Sequence, residues 1–201
     1  MENIKLNDFS KFPGGWSLSP YSIYLACKYA TNDGILNVLE FGSGEGTNQL
    51  VGLLTSKEIT FKYTSIEHDS TYAKTPNVEY IIYPLAHNYK PSDIENIQLN
   101  LKGIYDLVIV DGPHGVGRAK WYPKIKNFIK EGTIILIDDF HHYSEFETEL
   151  NENFEYDLIN VFNIDKKFTP DIVNDGLELV DINSPYHGNK THKVIRVKKI
   201  K

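Results

Sequence analysis

Short β-branched, apolar runs alternate with helix-length stretches along most of this chain. Ile35 to Phe41 (ILNVLEF), Phe61 to Glu67 (FKYTSIE), Val78 to Tyr83 (VEYIIY), Tyr105 to Val110 (YDLVIV) and Thr133 to Ile137 (TIILI) read as strands. The last two are nearly continuous in apolar residues, as central strands covered on both faces are. Helices are predicted between them. Ser19-Pro20 is a start signal that places Ile23, Ala26, Cys27 and Ala30 on one face. Thr47 to Leu54, Gly117 to Lys130 and Ser144 to Asn151 supply the others. Strands alternating with helices imply a parallel, doubly wound α/β sheet. The tail breaks the rhythm: Tyr156 to Phe162, Leu177 to Ile182 and Val194 to Val197 read as strands without long helices between them, predicting an antiparallel C-terminal edge. Asp165 to Asp175 is polar and reads as an exposed loop.

In folds of this kind ligands bind beyond the carboxyl ends of the strands, where strand order reverses. Polar clusters follow four of the predicted strands: Glu40 to Thr47, Glu67-His68-Asp69, Asp111-Gly-Pro-His114, and Asp138-Asp139 with His141-His142. In Glu40-Phe-Gly-Ser-Gly-Glu-Gly-Thr47 the glycines admit close backbone approach, and the helix start that follows offers free amides. The spacing is G-x-G-x-G, one residue short of the dinucleotide fingerprint G-x-G-x-x-G. Glu40 before the first glycine would repel a pyrophosphate and suits a cationic ligand. Glu67 lies 25 residues beyond Gly42, near the offset of a carboxylate that grips both hydroxyls of a ribose.

The sequence VLEFGSGEGT, then SIEHD, DLVIVDGPHG and TIILIDDFHH, resembles the class I S-adenosylmethionine-dependent methyltransferases, over roughly Trp16 to Leu150. That resemblance implies a Rossmann-like seven-stranded sheet, mostly parallel with an antiparallel C-terminal edge, and S-adenosylmethionine as cofactor. It implies cofactor contacts from Glu40, Gly42, Ser43, Gly44, Gly46, Thr47, Glu67, His68 and Asp111. Where many such enzymes carry an acid for the adenine amino group after the third strand, this chain reads Pro84-Leu85-Ala86.

Asp111-Gly-Pro-His114 further resembles the aspartate-x-x-histidine of metal-dependent sugar and macrolide O-methyltransferases, which implies Asp111 and His114 as catalytic residues, with the histidine as base. Neighbouring strands lie about 5 Å apart, so Asp111, Asp138 and Asp139 would converge on one ion; an all-carboxylate set favours Mg²⁺. The same stretch, with Arg118 and Glu145, also resembles the glucuronoxylan-type methyltransferases, which need no metal. Either resemblance implies O-methylation of a sugar hydroxyl or small polar acceptor, with His114, Arg118, His141 and His142 as substrate contacts. Asp-Gly also marks ordinary turns, and Asp138-Asp139 also suits a helix cap, so both structural roles stay open.

Composition narrows the partners. With 201 residues, 21 Lys and Arg against 27 Asp and Glu, and a net charge of −6, the chain disfavours a polyanionic partner. An RNA methyltransferase using the basic C-terminal strand and a non-catalytic S-adenosylmethionine-binding protein stand as the alternatives. One cysteine, Cys27, excludes an internal disulfide or a thiolate cluster. No apolar run approaches the ~20 residues that span a bilayer, and the first residues lack the pattern of a signal peptide. The expectation is a cytoplasmic single domain over 1–201, compatible with a homodimer: an N-terminal cap segment and helix (1–34), a cofactor-binding core (35–153) and C-terminal strands with an acceptor-side loop (154–201).

Overall fold

The computed structural model describes Leu18 and residues 20–30, 34–86, 89–140, 144–162 and 192–201. Seven strands, β1 (Leu36–Phe41), β2 (Phe61–Glu67), β3 (Val78–Ile82), β4 (Leu107–Val110), β5 (Ile134–Ile137), β6 (Phe154–Phe162) and β7 (His192–Ile200), form one sheet. Their order is β3-β2-β1-β4-β5-β7-β6. The first five are mutually parallel, and β7 runs antiparallel to both β5 and β6. This is the doubly wound sheet with an antiparallel edge that the pattern predicts. The predicted strand Leu177 to Ile182 and the loop Asp165 to Asp175 lie outside the described residues.

Because successive side chains of a strand point to opposite faces, each central strand divides its apolar residues between two cores. Val38, Leu107, Ile109, Ile134, Leu136 and Val194 face α1 (Pro20–Ala30) and α2 (Glu45–Ser56). Leu39, Phe41, Val108, Val110, Ile135 and Ile137 face the opposite layer, built from α3 (Pro91–Glu95), α4 (Trp121–Ile125) and α5 (Ser144–Asn153). All four residues of β4 and of β5 are buried. Burial on both faces is what the unbroken apolar runs require.

Two local differences from the predicted elements have physical causes. The stretch predicted as one helix from Gly117 to Lys130 is a 3₁₀ turn (Val116–Lys120), the short α4, and a second 3₁₀ turn (Lys126–Phe128). Pro123 has no N–H to give to the carbonyl of Ala119 and its ring crowds that carbonyl, which disfavours a continuous α-helix through this point; the α-helix starts at Trp121, with Pro123 in its first turn. The short α3 carries no amphipathic period of its own. Its start is set by Pro91 in the first turn and by Asp93, whose carboxylate accepts from the Lys90 amide at 2.7 Å. Among the described residues no helix is long and apolar enough to cross a membrane.

Candidate functional site

Strand order reverses between β1 and β4, and the loops leaving these two strands meet backbone to backbone. Gly42 follows β1 with φ +87°, in the region where a side chain is strained. A Cβ on Gly112 would lie 2.6 Å from the Gly42 Cα and 3.0 Å from its nitrogen. The amides of Asp111 and Gly112 both donate to the Phe41 carbonyl, at 3.0 and 2.5 Å. The indole of Trp121 stacks on Phe41 and donates to the Gly112 carbonyl at 2.9 Å. The glycine of Asp111-Gly-Pro-His114 is therefore required by space at the switch point. Gly112→Ala should lower the melting temperature by about 2–12 °C, as overpacking of about 1–3 kcal/mol does in a domain of this size. A thermal melt within 1 °C of the parent would show that the two loops are not locked together.

Glu67 ends β2 and is buried. Its Oε2 accepts from the Ser43 amide (2.7 Å) and hydroxyl (3.0 Å), and its Oε1 from the amides of His68 (2.6 Å) and Asp69 (2.9 Å). The His68 Nδ1 lies 2.7 Å from the same Oε1. Burial alone would raise the carboxyl pKa, but these hydrogen bonds outweigh it and bring it down to about 2. The carboxylate in turn raises the pKa of His68. One carboxylate thus gathers the glycine loop and the turn after β2 around itself. Its roughly four lone-pair positions are filled, so an incoming diol would replace the side-chain donors, Ser43 Oγ and His68, while the backbone amides stay.

Glu40 lies beneath this loop, 2% exposed. Its Oε2 accepts from the Thr47 hydroxyl at 2.8 Å, and Thr47 Oγ1 accepts from the Gly44 amide at 3.0 Å. Burial pushes its carboxyl up to about 8 against the Thr47 hydrogen bond. The side chain anchors the α2 start from beneath the loop. Gly46 lies in the first turn of α2.

Beside Glu67 a shallow, solvent-open cleft is lined by Gly42, Ile66, Glu67, His68, Tyr83, Leu85, Ile97, Pro113 and Trp121. Its inner wall is an apolar slot in place of the acid absent after β3. Sequence alone did not single out Tyr83, Leu85, Ile97 and Trp121 for the site; the first two follow the end of β3, while Ile97 follows α3 and Trp121 opens α4.

The carboxylates of Asp111, Asp138 and Asp139 converge as expected, but on a buried guanidinium. Arg118 Nη1 lies 3.9 Å from Asp111 Oδ1, 3.7 Å from Asp138 Oδ2 and 3.3 Å from Asp139 Oδ2. It also donates to the Asp138 carbonyl at 3.2 Å, while Nε donates to the Pro113 carbonyl at 3.1 Å. Mg²⁺ would need oxygens at about 2.0–2.1 Å from this same point, so the residues present do not fit a divalent ion there. Arg118, expected to touch substrate, has only 4% of its side chain exposed and ties the loops after β4 and β5 together. His192 was missed because nothing local marks it. As the first residue of antiparallel β7 it falls beside the end of β5, its Nε2 2.6 Å from Asp138 Oδ1. Asp139 adopts φ +54°, a strained position for a non-glycine residue on a ligand rim.

His114 is exposed on the loop after β4, and its carbonyl accepts from the Tyr89 hydroxyl. His141 and His142 lie outside the described residues. Glu145 is exposed at the start of α5.

No family model matches the sequence, and no curated protein matches it. Solved structures do match in fold. The plantazolicin methyltransferase BpumL in complex with SAH aligns over 96% of this chain and 86% of its own, with TM-score 0.55 and 13% identity. The TehB-like SAM-dependent methyltransferase of Corynebacterium glutamicum aligns over 87% and 85%, with TM-score 0.52 and 16% identity. The fold is that of the class I methyltransferases. The N-methyltransferase NodS of Bradyrhizobium japonicum aligns over 89% of this chain and 93% of its own, with TM-score 0.51 and 11% identity. In this chain the Gly42–Glu67 rim lies beside the switch point between β1 and β4.

Proposed function

We propose that this chain is an S-adenosylmethionine-dependent methyltransferase acting on the oxygen of a sugar hydroxyl or a similar small polar acceptor. The observation that carries the proposal is the pairing at the switch point of a buried, ionised Glu67 with an apolar slot. A carboxylate held below its ordinary pKa accepts two hydrogen bonds from a ribose diol. Ile66, Tyr83, Leu85 and Ile97 offer a flat purine an apolar surface without an acid to read its amino group.

When bound, S-adenosylmethionine supplies a methyl group activated by a sulfonium. The chain's own residues align and deprotonate. His114 stands on a loop fixed at three points, by Tyr89 at its own carbonyl, by Arg118 at Pro113 and by Trp121 at Gly112. Its imidazole would take the proton of the acceptor hydroxyl, leaving the oxygen free to accept the methyl group that the bound cofactor would supply. Basic residues of the C-terminal strand are largely matched by carboxylates: Lys193 to Glu147, Lys198 to Asp157 and Lys199 to Glu155. That neutralisation favours a small acceptor over RNA.

Labelled methyl transfer to a panel of nucleotide sugars, free glycans and small RNAs tests the reading. Transfer to a sugar is expected, with His114→Ala lowering kcat about 100-fold or more at unchanged cofactor affinity. Transfer to RNA alone would overturn the acceptor class. Cofactor binding without transfer to any acceptor would favour a non-catalytic binder, and equal losses in kcat and cofactor affinity would remove His114 as the base.

A further inference from the structure

We propose that Arg118 is the resident cation of this rim, standing where a divalent ion would stand among Asp111, Asp138 and Asp139, so that the site works without a metal. Three observations converge. A single nitrogen, Nη1, lies within 3.9 Å of a carboxylate oxygen of all three aspartates. The side chain is 4% exposed, so solvent does not dilute its charge. The same guanidinium hydrogen-bonds the Pro113 and Asp138 carbonyls, so its planar fork fixes the loops after β4 and β5 as a bridging ion would. His192 Nε2, 2.6 Å from Asp138 Oδ1, is a second partner of the most buried carboxylate. Arg118 is a positioning residue: it holds the loop that carries His114 and touches no reacting atom.

Space at the point where the three carboxylates meet, not their charge count, is what keeps a guanidinium and a divalent ion from sharing it. Among the described residues no group of three or more His, Cys, Asp or Glu side chains is arranged to hold a metal ion, and a second cation among these carboxylates would meet the buried guanidinium at contact distance. Removing the guanidinium leaves three converging carboxylates with an unmet need for positive charge.

Thermal melts of the full chain, with Mn²⁺, Ca²⁺ or ethylguanidinium as the added cation, read this directly and need no acceptor or cofactor. The wild-type melting temperature should not respond to millimolar Mn²⁺ or Ca²⁺. Arg118→Ala should melt lower and recover by about 3–6 °C on adding one of the three cations at tenfold its Kd. Asp139→Asn in the Arg118→Ala background should abolish that recovery, and Arg118→Lys should need no added cation. Wild-type stabilisation by a divalent ion that Asp139→Asn removes would overturn the proposal, as would an Arg118→Ala protein indifferent to every cation. If Arg118→Ala does not fold, the wild-type and Asp139→Asn melts still decide. The inference about the cation stands apart from the acceptor. Only its bearing on turnover rests on the methyltransferase reading, and that part is read separately as full methyl transfer in chelator.

Discussion

Replacing Glu67 by glutamine is expected to weaken S-adenosylmethionine binding about 100-fold or more, because two charge-assisted hydrogen bonds to a diol, each worth about 1.5 kcal/mol or more, are lost together. Glutamine keeps the size of the side chain but offers one acceptor oxygen and turns the other position into a donor. That donor would face either the Ser43 amide or the amides of His68 and Asp69, which now share the carboxylate. The variant therefore loses both the diol contact and the closure of the glycine loop, and its stability should fall by about 3 kcal/mol above pH 4.5. Calorimetric titration with S-adenosylmethionine and NAD separates the outcomes. The wild type should bind the first and not the second, and a 2′-deoxy analogue of the cofactor should bind the wild type more weakly but the variant unchanged. A folded Glu67→Gln protein with cofactor affinity within threefold of the parent would remove Glu67 as the ribose anchor.

The parts of this architecture that are legible in the sequence are those with a local cause. β4 and β5 announce themselves because burial on both faces demands unbroken apolar runs, and the polar clusters at strand ends mark the rim because core residues cannot be polar without partners. The glycines at 42 and 112 are visible as glycines, but the reason for Gly112 is a contact 70 residues away. His192 is invisible for a similar reason: only the antiparallel register, Ile137 against Lys193, places it next to Asp138. The convergence of Asp111, Asp138 and Asp139 follows from strand adjacency and was readable. The occupant was not, because Arg118 reaches back from a 3₁₀ turn whose path depends on where Pro123 lets the next helix begin. The apolar slot has no motif at all, since Ile66, Tyr83, Leu85 and Ile97 come from separate segments and matter only as a surface.

Glu40 offers the sharpest test of the loop's internal electrostatics, because its stability contribution runs opposite to that of Glu67. Its folded pKa of about 8 stands above the ordinary 4.5, so the folded chain holds a proton that the unfolded chain releases between those values. Stability from this group is complete below pH 4.5 and declines as pH rises towards 8, by about 1.4 kcal/mol per unit and ~4–5 kcal/mol across the window. Glu67, held at about 2, stabilises fully above pH 4.5 and loses that contribution as pH falls towards 2. Glu40→Gln mimics the protonated carboxyl, keeps an acceptor for the Thr47 hydroxyl, and removes the alkaline decline. The melting-temperature difference between Glu40→Gln and the parent should be near its minimum at pH 4.5 and grow in favour of the variant to about 10 °C at pH 8.5. A difference that stays constant from pH 5 to 9 would mean that Glu40 is already ionised beneath the loop, and that its charge is available to a cationic ligand after all.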